Sequence, residues 1–188
     1  MATLNECAIV YSKLLGKNYN FTLENNIKFM IEFKPSNFYH LLGLEKLKDV
    51  SQLQNKDVTK IYKDILKNRI KDSTIKSSKH YNIIKDRVDC FNQIMDLLYF
   101  DKSNKIIIDY DVNKLNFHTK LKFTKYILYK RDNENYIHLT IGCQNKLYPE
   151  TFFVESGSTY ISDQIMLDIL NIEVVDIKHK RKKSHTDR

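Results

Sequence analysis

Hydrophobic residues recur every three or four positions through most of the first hundred residues, which is the spacing of amphipathic helices. This spacing predicts helices over residues 4–15 and 56–68. The first begins at Thr3 and Glu6, which have the spacing of a capping box, and ends before Gly16. The front of the chain is therefore expected to be mainly helical.

The strongest periodicity predicts one long helix over residues 81–98, preceded by a short helical turn that starts at residues 72–74. Ser77 or Ser78 could cap the long helix. Its apolar stripe is more typical of a core-facing surface than of a binding groove. The stripe consists of Tyr81, Ile84, Val88, Phe91, Met95 and Leu98.

After about residue 100 the pattern changes to β-branched and aromatic runs, which are typical of strands. An earlier pair of runs, residues 19–23 and 27–33, predicts a hairpin, and residues 162–170 predict one short capped helix. The predicted fold class is α+β, with N-terminal helices packed on a four- to five-stranded antiparallel sheet. The later strand runs are residues 105–110, 121–130, 136–142, 151–155 and 172–177.

The composition indicates a packed globular body, because 42% of the 188 residues are hydrophobic while glycine and proline are few. We expect a single α+β domain over residues 1–177 with a basic tail over 178–188. Three cysteines, far apart in the sequence, suggest neither a disulfide framework nor a zinc knuckle. Without a secretion signal or a membrane-length apolar run, a soluble cytoplasmic protein is expected, with no cofactor and no membrane contact.

Much of the net charge of +8 is concentrated in residues 178–188, which carry six cations and one Asp and so contribute +5. Such a tail could attract phosphates without regard to sequence, which makes nucleic acid a candidate partner and Lys180 and Arg181 candidate contacts. A frayed, solubilising terminus explains the same residues equally well.

The most informative segment is residues 33–47, where His40 follows a Pro-Ser-Asn turn inside an apolar cluster. Ser36 or Asn37 could cap a short helix and Gly43 could end it, so that the imidazole would have a rigid mount. Because histidine titrates near neutral pH, it suits general acid/base catalysis. The alternative is a packed, hydrogen-bonded core histidine.

The order of these parts resembles a known family. The segment around His40, residues 75–80 with Arg87 after them, and residues 151–155 with Tyr160 are similar to a phage-borne member of the barnase, EndoU, colicin and RelE-like nuclease superfamily, the fourth of the phage set. The similarity covers residues 3–170, and its most specific piece is Asn37-Phe38-Tyr39-His40-Leu41-Leu42-Gly43-Leu44.

The resemblance implies metal-independent RNA cleavage, which needs a base, an acid, and donors that stabilise the phosphorane. His40 is the candidate base or acid, with Lys46 near it. Arg87 could clamp phosphate or simply be solvated, and Thr151 and Tyr160 are possible phosphate donors. Glu150 precedes Thr151, where the superfamily has a basic or hydroxyl residue, so a cation on this late strand is in doubt.

Substrate could also contact Ser78 and Lys79, since a helix start beside them would hold an anion, although Ser78 as a plain N-cap explains the same residues. Asp109 and Asp111 at a strand end could hold Mg²⁺ or merely form a turn. His80, His118 and His138 are interpreted as surface or structural residues.

The leading hypothesis is a small endoribonuclease of phage or mobile-element origin, which could act as a toxin and be neutralised by an inhibitor or host protein. The alternative is a non-catalytic module that binds RNA or a host protein.

Overall fold

The helices of this computed structural model, which describes residues 2–99, 105–115 and 117–177, lie before the last five strands of the chain. Their bounds are α1 Leu4–Ser12, α2 Asn37–Leu41, α3 Val58–Leu66, α4 Asp72–Lys76, α5 Lys85–Cys90 and α6 Ile94–Leu98. The strands are β1 Lys17–Leu23, β2 Lys28–Glu32, β3 Lys105–Asp109, β4 Thr124–Asp132, β5 Asn135–Cys143, β6 Leu147–Glu155 and β7 Ile165–Asp176. The α+β class is confirmed.

The predicted capping box of α1 is confirmed, whereas Ser36 makes no side-chain cap at the start of α2 and Asn37 Oδ1 accepts from Lys34 N instead. Thr3 Oγ1 accepts a hydrogen bond from Glu6 N at 3.2 Å, and Glu6 Oε2 accepts one from Thr3 N at 2.7 Å. Asp57 Oδ1 caps α3 by accepting from Lys60 N at 2.9 Å. Helix α1 buries Leu4, Cys7, Ala8 and Tyr11 and packs on α3. No described helix is long and apolar enough to cross a membrane.

The prediction of one long helix over residues 81–98 is wrong. Two short 3₁₀ turns, Tyr81–Ile83 and Phe91–Gln93, interrupt it and leave only α5 and α6 as α-helices. Apolar residues spaced three apart lie on one side of a 3₁₀ turn as well as of an α-helix, so the apolar stripe continues through the two 3₁₀ turns. β-branched and Asn/Asp residues in this stretch also lower its helix propensity. The stripe does face the core, as predicted: Ile84, Val88, Phe91 and Leu98 are buried, and Tyr81 and Met95 pack against the same cluster.

The described strands form one antiparallel sheet of seven, in the order β2-β1-β7-β3-β4-β5-β6, where four or five strands had been expected. The predicted hairpin of β1 and β2 is confirmed, with Phe21 opposite Phe29. The sheet curls so that β2 and β6, its two edges, lie close together. Inside the curl, the ring of Phe29 stacks on Phe21 and on Tyr126 of β4, each at 4.8 Å between centroids.

Residues 162–170 do not form the predicted helix, because most of them belong to the long strand β7. A short apolar run is compatible with a helix or a buried strand, and here tertiary pairing decides. Strand β7 pairs with both β1 and β3, and its buried residues Leu167 and Ile169 alternate with exposed neighbours. The predicted strand over residues 172–177 is the second half of β7, which pairs with β1. The first half, which was missed, pairs with β3 and so joins the two halves of the sheet.

Helices α2 and α5 both pack on β6 at one edge of the sheet. Phe38 of α2 is fully buried against Tyr11 and Phe91, and Phe91 contacts Phe152 of β6. This aromatic cluster fixes the height of α2 above the strand. It leaves an open space between the ends of the helices and β6.

Candidate functional site

The space between α2, α5 and β6 is a cleft of about 800 Å³, which is large enough for a substrate-sized ligand. It brings together five basic or imidazole side chains, and several hydroxyl groups line it as well. The basic side chains are His40, Lys46, Arg87 and Lys120, joined by a second imidazole from His118. The hydroxyl groups are those of Thr119, Tyr148, Thr151 and Tyr160, and the carboxylates of Glu45, Asp86, Glu150 and Glu155 also line the cleft.

His40 lies at the rim of this cleft, with its side chain 58% exposed. It occupies the exposed side of α2, whose other side buries Phe38 and Leu41. Gly43 adopts the left-handed conformation, φ 73°, and ends the helix as predicted. His40 Nδ1 lies 3.8 Å from Glu45 Oε2. The interpretation as a packed core histidine is therefore wrong, and the ring is open to a ligand.

Arg87 lies deeper in the cleft, where Nη1 donates a hydrogen bond to Thr151 Oγ1 at 2.9 Å. Burial lowers the pKa of the Arg87 guanidinium, and the charge of Glu45 acts in the opposite direction. The alternative of a freely solvated arginine therefore does not hold. Because β6 has Glu150 where a basic or hydroxyl residue was expected, the cation beside this strand is Arg87, which comes from the helical side.

Lys46 lines the same cleft as His40, in the turn that follows Gly43. Burial lowers the pKa of the Lys46 ammonium, and the nearby charge of Arg87 lowers it further. Lys120 acts in the same direction, while Glu45 opposes it. A lysine with a lowered pKa gives up its proton more readily than an exposed one, which suits it to proton transfer.

An aromatic wall closes the other side of the cleft. The ring of Tyr160 contacts Phe153 at 5.0 Å and Phe117 at 5.3 Å between centroids. Below it, His138 is fully buried and its Nε2 lies 3.2 Å from Glu155 Oε2. The rings of Phe117, Phe153 and Tyr160 can stack on the bases of single-stranded nucleic acid.

Glu155 holds the loop that carries Tyr160, because its Oε1 accepts a hydrogen bond from Thr159 N at 2.9 Å. Burial alone would raise the pKa of the Glu155 carboxyl, but hydrogen bonds from His138 and Thr159 outweigh it, so the pKa is lowered. His138 is thus structural, in agreement with the sequence interpretation.

Other predicted residues lie outside the cleft. Ser78 Oγ donates to Asp49 Oδ1 at 2.6 Å and Lys79 N donates to Asp49 Oδ2 at 2.9 Å, so a carboxylate of this chain already occupies the predicted anion site. Asp109 pairs with Lys125, and Asp111 Oδ1 accepts from the backbone of Asn113. That arrangement fits the turn-forming interpretation of the two aspartates. Lys180 and Arg181 lie outside the described residues.

Sequence reasoning missed His118, Lys120 and Glu45 as cleft residues. His118 had been interpreted as a surface or structural residue. The segment around it has no periodic pattern that would place it, and only the pairing of β4 with β5, and of β5 with β6, brings it to the cleft. Glu45 could have been noticed, since it is adjacent to Lys46 and five residues from His40.

The fold and the cleft together define an α+β protein with an open site of imidazole, cationic and hydroxyl groups. This combination of groups suits the binding and cleavage of phosphodiesters. The chain belongs to the family described as phage-Barnase-EndoU-ColicinE5/D-RelE like nuclease4, whose model matches residues 3–187. Searches of curated proteins and of solved structures gave no significant match. The family implies a nucleic acid substrate.

Proposed function

We propose that this protein is a metal-independent endoribonuclease that cleaves RNA by attack of the 2′-hydroxyl, with His40 as general acid/base. The observation that carries the proposal is the exposed imidazole of His40 at the rim of the cleft that also contains Lys46 and the Arg87–Thr151 pair. Protein cations in the cleft can supply the charge stabilisation that phosphodiester cleavage requires.

In this mechanism His40 takes the proton of the 2′-hydroxyl as the 2′-oxygen attacks phosphorus. The carboxylate of Glu45, 3.8 Å from Nδ1, would stabilise the imidazolium that forms. The bond from phosphorus to the 5′-oxygen then breaks, and Lys46 gives a proton to the leaving oxygen. The products are a 2′,3′-cyclic phosphate and a free 5′-hydroxyl.

Arg87 and Thr151 would bind the non-bridging phosphate oxygens, with the Tyr160 hydroxyl as a further donor from the loop. A guanidinium is suited to this role because its parallel N–H groups match the geometry of a phosphate. The phage or mobile-element origin and the role as a toxin are part of the same proposal, and of these the family description names only the phage.

The test is whether the purified protein cleaves an RNA oligonucleotide that contains all four bases in the presence of EDTA. The 2′-deoxy oligonucleotide of the same sequence is the substrate control. We expect RNA to be cut, the deoxy strand to stay intact, and His40→Ala to slow cleavage by about 10²- to 10⁴-fold. His80→Ala is the matched control, because His80 is partly exposed and does not line the cleft.

Equal rates for the wild type and His40→Ala would refute the assignment of His40. If the wild type bound RNA but cut none, the protein would be the non-catalytic RNA-binding module that is the alternative hypothesis.

A further inference from the structure

A second cavity of about 340 Å³ adjoins the cleft. The two share Asn37 and Tyr148 as wall residues, so they are adjacent on the same face of the protein. The second cavity lies where the two edges of the curled sheet approach each other. Its walls are the end of β2, the start of β6 and the turn between β5 and β6.

The chemistry of this second cavity is that of a site for an anionic, hydrogen-bonding ligand. Lys34 and Lys146 outnumber the one carboxylate, that of Glu32. Within the described part of the chain, neither ammonium group forms an ion pair. Gln144 and Asn145 are exposed and add two amide groups that can donate and accept hydrogen bonds.

Tyr148 stands at the boundary between the two cavities, and the strand beside it is shaped to receive its ring. A Cβ atom built on Gly142 would lie 2.7 Å from Tyr148 Cζ and 2.9 Å from the hydroxyl oxygen. Tyr148 is opposite Gly142 in the register of β5 and β6. The absence of a side chain at Gly142 therefore lets the ring lie close against β5.

We infer that the second cavity is a subsite for a nucleotide of single-stranded RNA that flanks the cleaved phosphate. The inference rests on the proposed function, since it extends the path of the same strand beyond the cleft. Tyr148 would stack on a base at the boundary, Lys34 and Lys146 would bind the following phosphates, and the amides would meet the base edge. Basic groups beside an aromatic ring are the usual combination for single-stranded nucleic acid.

The test compares an oligoribonucleotide of about eight nucleotides, a length within the usual range of single-strand sites, with a dinucleotide. Both are measured as cleavable RNA for KM and kcat, and as 2′-O-methyl RNA for binding by fluorescence anisotropy. The variant carries Lys34→Ala and Lys146→Ala. The control carries Lys63→Ala and Lys67→Ala, which remove the same charge from exposed positions on and after α3 that line neither cavity.

Each phosphate contact with a single strand contributes about 0.7 to the slope of log affinity against log salt, so losing two should lower the slope by about 1.4. At about 0.1 M salt this corresponds to about 25-fold weaker binding of the longer RNA. The dinucleotide should be bound and cut as by the wild type, and kcat should not change. Gly142→Ala, which keeps every charge and pushes the Tyr148 ring away from β5, should also raise KM for the longer RNA.

The subsite is refuted, with the nuclease intact, if the lysine variant matches its control on the longer RNA or weakens the dinucleotide equally. If the wild type neither binds nor cuts the longer RNA, both the proposed function and the subsite are refuted.

Discussion

Gly43 connects the conformation of the backbone to the position of the guanidinium that is proposed to bind phosphate. Its φ of 73° lies in the left-handed region, which costs a residue with a side chain about 1–2 kcal/mol. In addition, a Cβ atom at this position would lie 3.2 Å from both Arg87 Nη1 and Ile84 Cγ2. Because Ile84 is fully buried, Arg87 is the group that can move. Gly43→Ala should therefore both strain the turn and shift the guanidinium by a few tenths of an ångström relative to Thr151.

Gly16→Ala is the matched control for the backbone term. Gly16 has nearly the same φ, 72°, but a Cβ atom there would meet nothing within 4 Å. We expect the free energy of unfolding to fall by about 1–2 kcal/mol in both variants, which lowers Tm by about 2–8 °C for a chain of this size. Crowding against Ile84 and Arg87 should cost Gly43→Ala about a further 1 kcal/mol or more.

The assay is urea denaturation of both variants, followed by RNA cleavage under conditions where each is fully folded. Only Gly43→Ala should lose activity, by at least tenfold, because Arg87 no longer lies where Thr151 holds it. Equal stability and equal activity of the two variants would refute the role of Gly43 in positioning Arg87.

Two further predictions follow from the lowered pKa values. Because burial and Arg87 disfavour the charged form of Lys46, Lys46→Met should raise Tm while reducing cleavage; a fall in Tm would contradict this. Glu155 has a folded pKa below the ordinary 4.5, so its stabilising contribution is present above that pH and is lost as the pH falls through the folded pKa. The difference in unfolding free energy between the wild type and Glu155→Gln should therefore shrink on acidification, and a difference independent of pH would count against the His138–Glu155 contact.

Elements defined by local side-chain chemistry could be predicted from the sequence. Thr3 and Glu6 cap α1 with groups three residues apart, and only the four residues 24–27 connect the hairpin strands β1 and β2. The short helix that carries His40 was predictable for the same reason, since the apolar residues that anchor it and the Gly43 that ends it are neighbours of His40 in the chain.

Features decided by distant contacts could not be predicted. Residues 81–98 keep an apolar period of three to four whether they form one helix or several short turns. The first half of β7, which was predicted as a helix, becomes a strand because it pairs with β3, which is distant in sequence. The cleft has the same origin: His118 and Thr151 reach His40 only because the sheet curls and α2 packs on β6.

The hydrogen bond from Arg87 to Thr151 connects the helical layer to the sheet before any substrate is present. A long side chain that is already confined to one rotamer loses little conformational entropy when a ligand arrives, so more of the contact energy remains as affinity. Because this hydrogen bond joins α5 to β6, the recognition of phosphate depends on the separation between the helical layer and the sheet. Core substitutions that never touch the cleft, such as those at Phe91 or Phe152, should therefore alter substrate affinity as well as stability.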